Sequence, residues 1–123
     1  MRIAFLGKGG AGKTTTAAGF IQYLAARNPF VVAVDADVNA HLKSALNLKG
    51  EVKQLGLHFD EVTDYLRGNR TDLGDRPMIG TTPPAAGSNF ITAQKDDPFI
   101  QKYAMQEGNI ALLTVGTYQQ EDV

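Results

Sequence analysis

The chain has no cysteine, which excludes disulfide bonds and any thiolate metal site within its residues. Long apolar runs are missing as well. No stretch approaches the ~20 residues needed to span a bilayer, and the apolar segment near the N-terminus is too short for a signal peptide. Excess charge of one sign is equally scarce. Twelve Lys and Arg against 13 Asp and Glu leave a formal net charge of −1, so no global basic field argues for nucleic acid or anionic membrane. Internal repeats and low-complexity segments are absent too. These absences suit a cytoplasmic protein. At 123 residues, with 43% hydrophobic and 20% charged content, the chain has the size and composition of one soluble domain with a real core.

What is present is concentrated in one stretch, Gly7-Lys8-Gly9-Gly10-Ala11-Gly12-Lys13-Thr14-Thr15. It satisfies the phosphate-loop pattern G-x-x-x-x-G-K-[ST] through Gly7, Gly12, Lys13 and Thr14. An apolar run, Ile3-Ala4-Phe5-Leu6, leads in as an expected strand. After the loop, Ala17, Phe20, Ile21, Leu24 and Ala25 recur at helical spacing and make one apolar face. Glycines let the backbone curl so that its N–H groups approach phosphate oxygens. The helix start adds the positive end of its dipole, worth ~0.3–1 kcal/mol per anionic group near the surface. Lys13 is expected to reach the β- and γ-phosphates of ATP or ADP, and the Thr14 hydroxyl to hold Mg²⁺. A glycine-rich turn that binds nothing is disfavoured by the completeness of the pattern and its strand–loop–helix setting.

The first helix is expected over about 13–27, where Asn28 offers a left-handed cap and Pro29 blocks continuation. Phe30-Val31-Val32-Ala33-Val34 then reads as a parallel strand buried on both faces. Strand, loop, helix and strand form a βαβ unit, and the fold class is α/β with a mostly parallel sheet flanked by helices. The second strand ends at Asp35-Ala36-Asp37-Val38-Asn39. In open α/β sheets ligands sit outside the carboxyl ends of strands, so this loop and the phosphate loop face one crevice. One carboxylate there can orient Mg²⁺-bound water and the other can position the water that attacks the γ-phosphate. A pair of caps at a strand end is the structural alternative.

Farther along, short helices are expected at about 40–47, with Leu42, Ala45 and Leu46 on one face, and at about 59–67, ended by Gly68. His41 and His58 have no metal-like partner spacing. Residues 69–88 are irregular and rich in Pro and Gly, a functional or mobile excursion by its length. Residues 89–93 are a candidate short strand. Asp97-Pro98 is a helix start, with aspartate as cap and proline at the first helical position. Asn109 to Val115 reads as another buried strand, closing on Gly116-Thr117 at the same carboxyl edge. No closing element follows, and residues 1–123 read as a P-loop domain incomplete at its C-terminal end, the N-terminal portion of a longer one.

Lys8 narrows the reading. The loop K-G-G-A-G-K-T-T resembles the deviant Walker A signature of the MinD/ParA/nitrogenase-iron-protein/ArsA group of P-loop NTPases. Within the group, V-D-A-D-V-N-A-H-L and the weaker L-L-T-V-G-T resemble the carbon-monoxide-dehydrogenase accessory ATPases, with Val38 where those proteins commonly carry proline. The resemblance implies an Mg-ATP-dependent homodimer in which Lys8 contacts the nucleotide held by the partner. It also matches Asp37 to the group's water-activating aspartate, and leaves Asp35 as a metal-shell carboxylate acting through water or a structural one. Two roles stay open. One is an ATPase coupled to metal-centre maturation of a client metalloenzyme; the other is a positioning or partitioning switch acting through DNA or membrane partners. The group's second switch, adenine contacts and paired cysteines would all lie beyond Val123.

Overall fold

A computed structural model describes residues 1–7, 12–79 and 81–117. Its elements run α1 (Lys13–Ala25), β1 (Val31–Asp35), α2 (Leu42–Ala45), a single 3-10 turn (Leu55–His58), α3 (Phe59–Arg67), α4 (Pro98–Tyr103), β2 (Met105–Glu107) and β3 (Ile110–Thr114). The strands form one sheet in the order β1-β3-β2. β1 and β3 are parallel, in register from Val31 opposite Ile110 to Asp35 opposite Thr114. β2 and β3 are an antiparallel hairpin, from Met105 opposite Leu112 to Glu107 opposite Ile110.

β3 is the central strand, and its alternation feeds two cores. Leu112 joins Val31, Ala33 and Met105 on one face, against Ala18 and Ile21 of α1 and Leu42, Leu46 and Leu48 around α2. Ala111 and Leu113 point the other way, against Phe99, Ile100 and Tyr103 of α4, with Val62 and Tyr65 of α3 packed alongside. The period of two along the strands divides the helices into two layers. Burying side chains such as Ile100 and Leu112, both essentially inaccessible, contributes about 1.5–3 kcal/mol each.

Local chemistry sets the element ends. Asp97 caps α4 as its sequence position predicts: Oδ1 accepts from the amides of Phe99 at 2.8 Å and Ile100 at 3.1 Å. Its Oδ2 accepts from the Thr92 amide and hydroxyl, each at 2.9 Å. Burial raises the Asp97 pKa, but these amide and hydroxyl donors outweigh it and hold the carboxyl below its ordinary value. α3 spans the expected residues and ends at Gly68, whose φ is 59°. Glu61 of α3 accepts from the Tyr103 hydroxyl at 2.6 Å, tying α3 to α4. Burial first, and the bond to Glu61 second, push the Tyr103 phenol up to about 12.

Several boundaries differ from expectation. Residues 1–7 form no strand. Ile3 and Leu6 are exposed, and among the described residues no neighbouring strand pairs with their backbone groups, which an extended segment requires. The Phe5 ring lies edge-on to Phe20 with centroids 5.8 Å apart. The sheet is mixed, because Gly108, at φ 60°, opens a two-residue hairpin that returns the chain antiparallel. α1 stops at Ala25; Asn28 caps it with its side chain, donating to the Leu24 carbonyl at 2.9 Å, and takes no left-handed conformation. α2 is shorter than expected and closes on Asn47 at φ 56°. Residues 89–93 form no strand.

The excursion after α3 is held by arginines rather than regular structure. Arg70 grips Asp72 through Nε at 2.9 Å and Nη2 at 2.7 Å, and donates to the Pro83 carbonyl at 2.7 Å. Arg67 donates to the carbonyls of Arg76 and Gly74. An apolar cavity of about 180 Å³ beside it is lined by Leu66, Met78, Pro84, Phe90 and Ile91. No helix among the described residues is long and apolar enough to cross a membrane.

Candidate functional site

The start of α1 is an open helix N-terminus. Gly12 is its N-cap at φ 77° and ψ 13°, and among the described residues no side chain caps the first turn. A Cβ at Gly12 would meet nothing within 4 Å, so glycine is demanded by the left-handed backbone rather than by crowding. Thr16 donates to the Gly12 carbonyl at 2.9 Å, which begins the helical ladder. The amides of Lys13, Thr14 and Thr15 precede that first rung and have no intrahelical acceptor. The first turn carries no acidic residue. Donors, dipole and the Lys13 ammonium therefore point one way, toward an anion.

The loop after β1 faces this turn. Parallel pairing ends at Asp35, and the chain continues as Ala36-Asp37-Val38-Asn39 into α2. Asp35 is buried and its carboxylate organises the loop. Oδ1 accepts from the Asp37 amide at 3.1 Å, and Oδ2 from the Leu42 amide at 3.0 Å. Asp37 is half-exposed and pairs with the phosphate-loop lysine: Oδ2 lies 3.9 Å from Lys13 Nζ. Its Oδ1 accepts from the Asn39 amide at 3.0 Å, an Asx-type turn that fixes the side chain's direction.

The end of β3 lies beside the Asp35 end of β1. Val115 donates to the Asp35 carbonyl at 2.9 Å, one rung beyond the ladder, and accepts from the Gly56 amide at 2.9 Å. Gly116 follows at φ 66°. Thr117 is held by Gln54, whose Oε1 accepts from the Thr117 amide and hydroxyl, both at 3.0 Å.

The residues predicted from sequence thus divide into three sets. Lys13 and Asp37 are brought face to face, with Gly12, Thr14 and Thr15 in the same first turn. Asp35 supports them from below. Gly7 is described but belongs to no element, and Lys8, Gly9, Gly10 and Ala11 lie outside the described residues. Among the described residues no group of three or more His, Asp or Glu could hold a metal by itself. The half-buried Thr14 beside an open helix start fits Mg²⁺ held jointly with a phosphate substrate, the usual manner for this cation, which keeps waters and takes few protein ligands. His41 and His58 stay outside the site. Sequence reasoning missed Gln54 and the Leu42 amide, because both act across the fold and neither carries a motif.

The geometry agrees with what the chain resembles. Residues 3–120 match the family described as the CobQ/CobB/MinD/ParA nucleotide binding domain. An uncharacterized ATP-binding protein of Methanocaldococcus jannaschii is 32% identical over 120 residues, covering 98% of this chain and 42% of that protein. The carbon monoxide dehydrogenase accessory protein CooC of Rhodospirillum rubrum is 30% identical over 117 residues, covering 95% of this chain and 41% of that protein. The chain spans about two fifths of the length of these curated relatives.

Proposed function

The chain belongs to the CobQ/CobB/MinD/ParA nucleotide-binding domain family, and from that premise we propose that it binds Mg-ATP and hydrolyses it to ADP and phosphate as a dimeric switch. The observation that carries the reading is the pairing of Lys13 with Asp37 at 3.9 Å across the uncapped start of α1. A cation for the β- and γ-phosphates and a carboxylate for the attacking water are thereby held within one contact of each other. Phosphoryl transfer asks for that arrangement, since its catalysis is mostly positioning and charge stabilisation.

Each residue then has a task. Gly12 turns the backbone, and the first-turn amides and Lys13 bind the phosphate oxygens. When ATP enters, Lys13 transfers its contact from Asp37 to phosphate, which leaves the Asp37 carboxylate to orient a water. Thr14 supplies the hydroxyl that holds Mg²⁺, with Asp35 contributing through water while its oxygens keep the loop amides in place. Mg²⁺ supplies charge neutralisation on the phosphate oxygens. Lys8 serves the neighbouring protomer, adding a cation in trans to charge developing on the γ-phosphate.

The likeness to an accessory protein of carbon monoxide dehydrogenase supports maturation of a client metalloenzyme's metal centre as the process this switch serves. Calorimetric titration of the intact protein with Mg-ATP, alongside measurement of phosphate release, tests the core of the reading. Binding with slow turnover is the expected result. Absence of ATP binding overturns it.

A further inference from the structure

Gln54 is a polar residue that the nucleotide-binding reading does not use. Its backbone makes a lone parallel bridge to Thr114, the last residue of β3. Its side-chain Oε1 takes both donors of Thr117, amide and hydroxyl, across 63 positions of sequence. Between them Gly116 is pressed so close that a Cβ there would come within 2.4 Å of that same oxygen. The strap around Gln54 and the turn after β3 can approach only because position 116 is glycine, in a left-handed conformation besides.

This clamp is continuous with the site. Gly56, on the same strap, donates to the Val115 carbonyl, and the Val115 amide donates to the Asp35 carbonyl. Val115 is therefore bonded on one side to the strap and on the other to β1. The Asp35 carboxylate holds the amides of Asp37 and Leu42, and Asp37 faces Lys13. A chain of contacts thus runs from Gln54 through Thr117, Val115, Asp35 and Asp37 to the phosphate-loop lysine.

The geometry points to Gln54 as a positioning residue that, through the Gly116-Thr117 turn and Val115, holds the Asp35–Leu42 loop in place opposite Lys13. Its kinetic consequence rests on the ATPase reading; its positional consequence does not. The role uses acceptor capacity alone. Glutamate at position 54 keeps oxygen acceptors for both Thr117 donors, whereas leucine, of similar size, keeps none.

Hydrogen exchange on the intact, nucleotide-free protein decides the positional part. Gln54→Leu is expected to quicken amide exchange at 114–117 and also at 35–42, while α3 stays as in the wild type and Gln54→Glu exchanges like the wild type. Faster exchange confined to 114–117 overturns the proposal, since the clamp would then be local. Thr117→Val, which deletes only the hydroxyl donor, gives a milder variant with the same expected pattern should Gln54→Leu fold poorly. In steady-state ATP hydrolysis, Gln54→Leu is expected to lower kcat about fivefold or more with KM within about twofold, and Gln54→Glu to recover it. Wild-type kcat in Gln54→Leu overturns the role. A wild type that binds no ATP sinks the ATPase reading, and the exchange comparison still decides Gln54.

Discussion

Lys13 Nζ lies 3.9 Å from Asp37 Oδ2, with both side chains about a third exposed. A pair this open to solvent stabilises a fold by only ~0–1 kcal/mol. Its value is positional. It joins the first turn of α1 to the loop after β1, the two pieces that converge on a γ-phosphate in the proposed function.

Asp37→Ala should separate binding from chemistry. ATP affinity is expected to stay within about threefold of the wild type, because the phosphates are held by Lys13 and the first-turn amides. Turnover should fall by ~10²–10⁴, the usual contribution of a positioned general base or water-orienting group. A binding titration beside a phosphate-release assay measures both. Equal losses in the two would return Asp37 to a metal or structural role.

Lys13→Ala should remove nucleotide binding itself. In the wild type, Mg-ATP at ~100 times Kd stabilises the folded state by roughly 2.7 kcal/mol, visible as a raised Tm. The variant is expected to show no such rise while folding normally, since the Lys13–Asp37 ion pair it loses is open to solvent. A variant melting curve that still shifts with Mg-ATP contradicts the assignment.

Lys8→Ala addresses the dimer, although residue 8 lies outside the described residues. The variant should keep near-normal ATP affinity per protomer and lose both ATP-induced dimerisation and hydrolysis. Ultracentrifugation of the intact protein with a slowly hydrolysed ATP analogue reads the first effect. A wild type that remains monomeric with analogue bound, or a variant with normal turnover, rules the trans-acting lysine out.

Asp97→Ala tests the fold rather than the site. The carboxylate caps α4 and anchors Thr92, so its loss should cost about 1–2 kcal/mol in chemical denaturation. The pH dependence has a definite sign. Because the folded-state pKa is held below its ordinary value, the carboxylate's contribution is fully present above the unfolded pKa near 4 and is lost as pH falls through the folded value. The difference in stability between wild type and Asp97→Ala should narrow in that acid range and stay constant at neutral pH.

Much of the site was legible because its chemistry is local. Gly12, Lys13 and Thr14 sit at three consecutive positions, and the first turn of α1 brings their groups together without help from distant chain. The same holds for Asp97 and Pro98 at the start of α4, and for Gly68 after α3. Asp35 shows the limit. Its place in the sequence allowed a metal-shell or a structural carboxylate, and the bond to the Leu42 amide, seven residues on, makes its loop-organising part visible.

Residue types and their spacing by themselves determined the phosphate-loop pattern, the α/β class and the strand at Val31 to Asp35, though not its burial on both faces, since Val34 is exposed; periodicity and backbone conformation are properties of neighbouring residues. Tertiary structure alone decided which segments pair. Ile3 to Leu6 has strand-like composition, yet it forms no strand, since a strand exists only where another backbone supplies its hydrogen bonds. Met105 to Glu107 carries no strand signal of its own, yet it pairs because the Gly108 turn lays it along β3. Gln54 meets Thr117 across 63 positions, and no local pattern can announce a contact that exists only after two distant segments have been folded against the same strand.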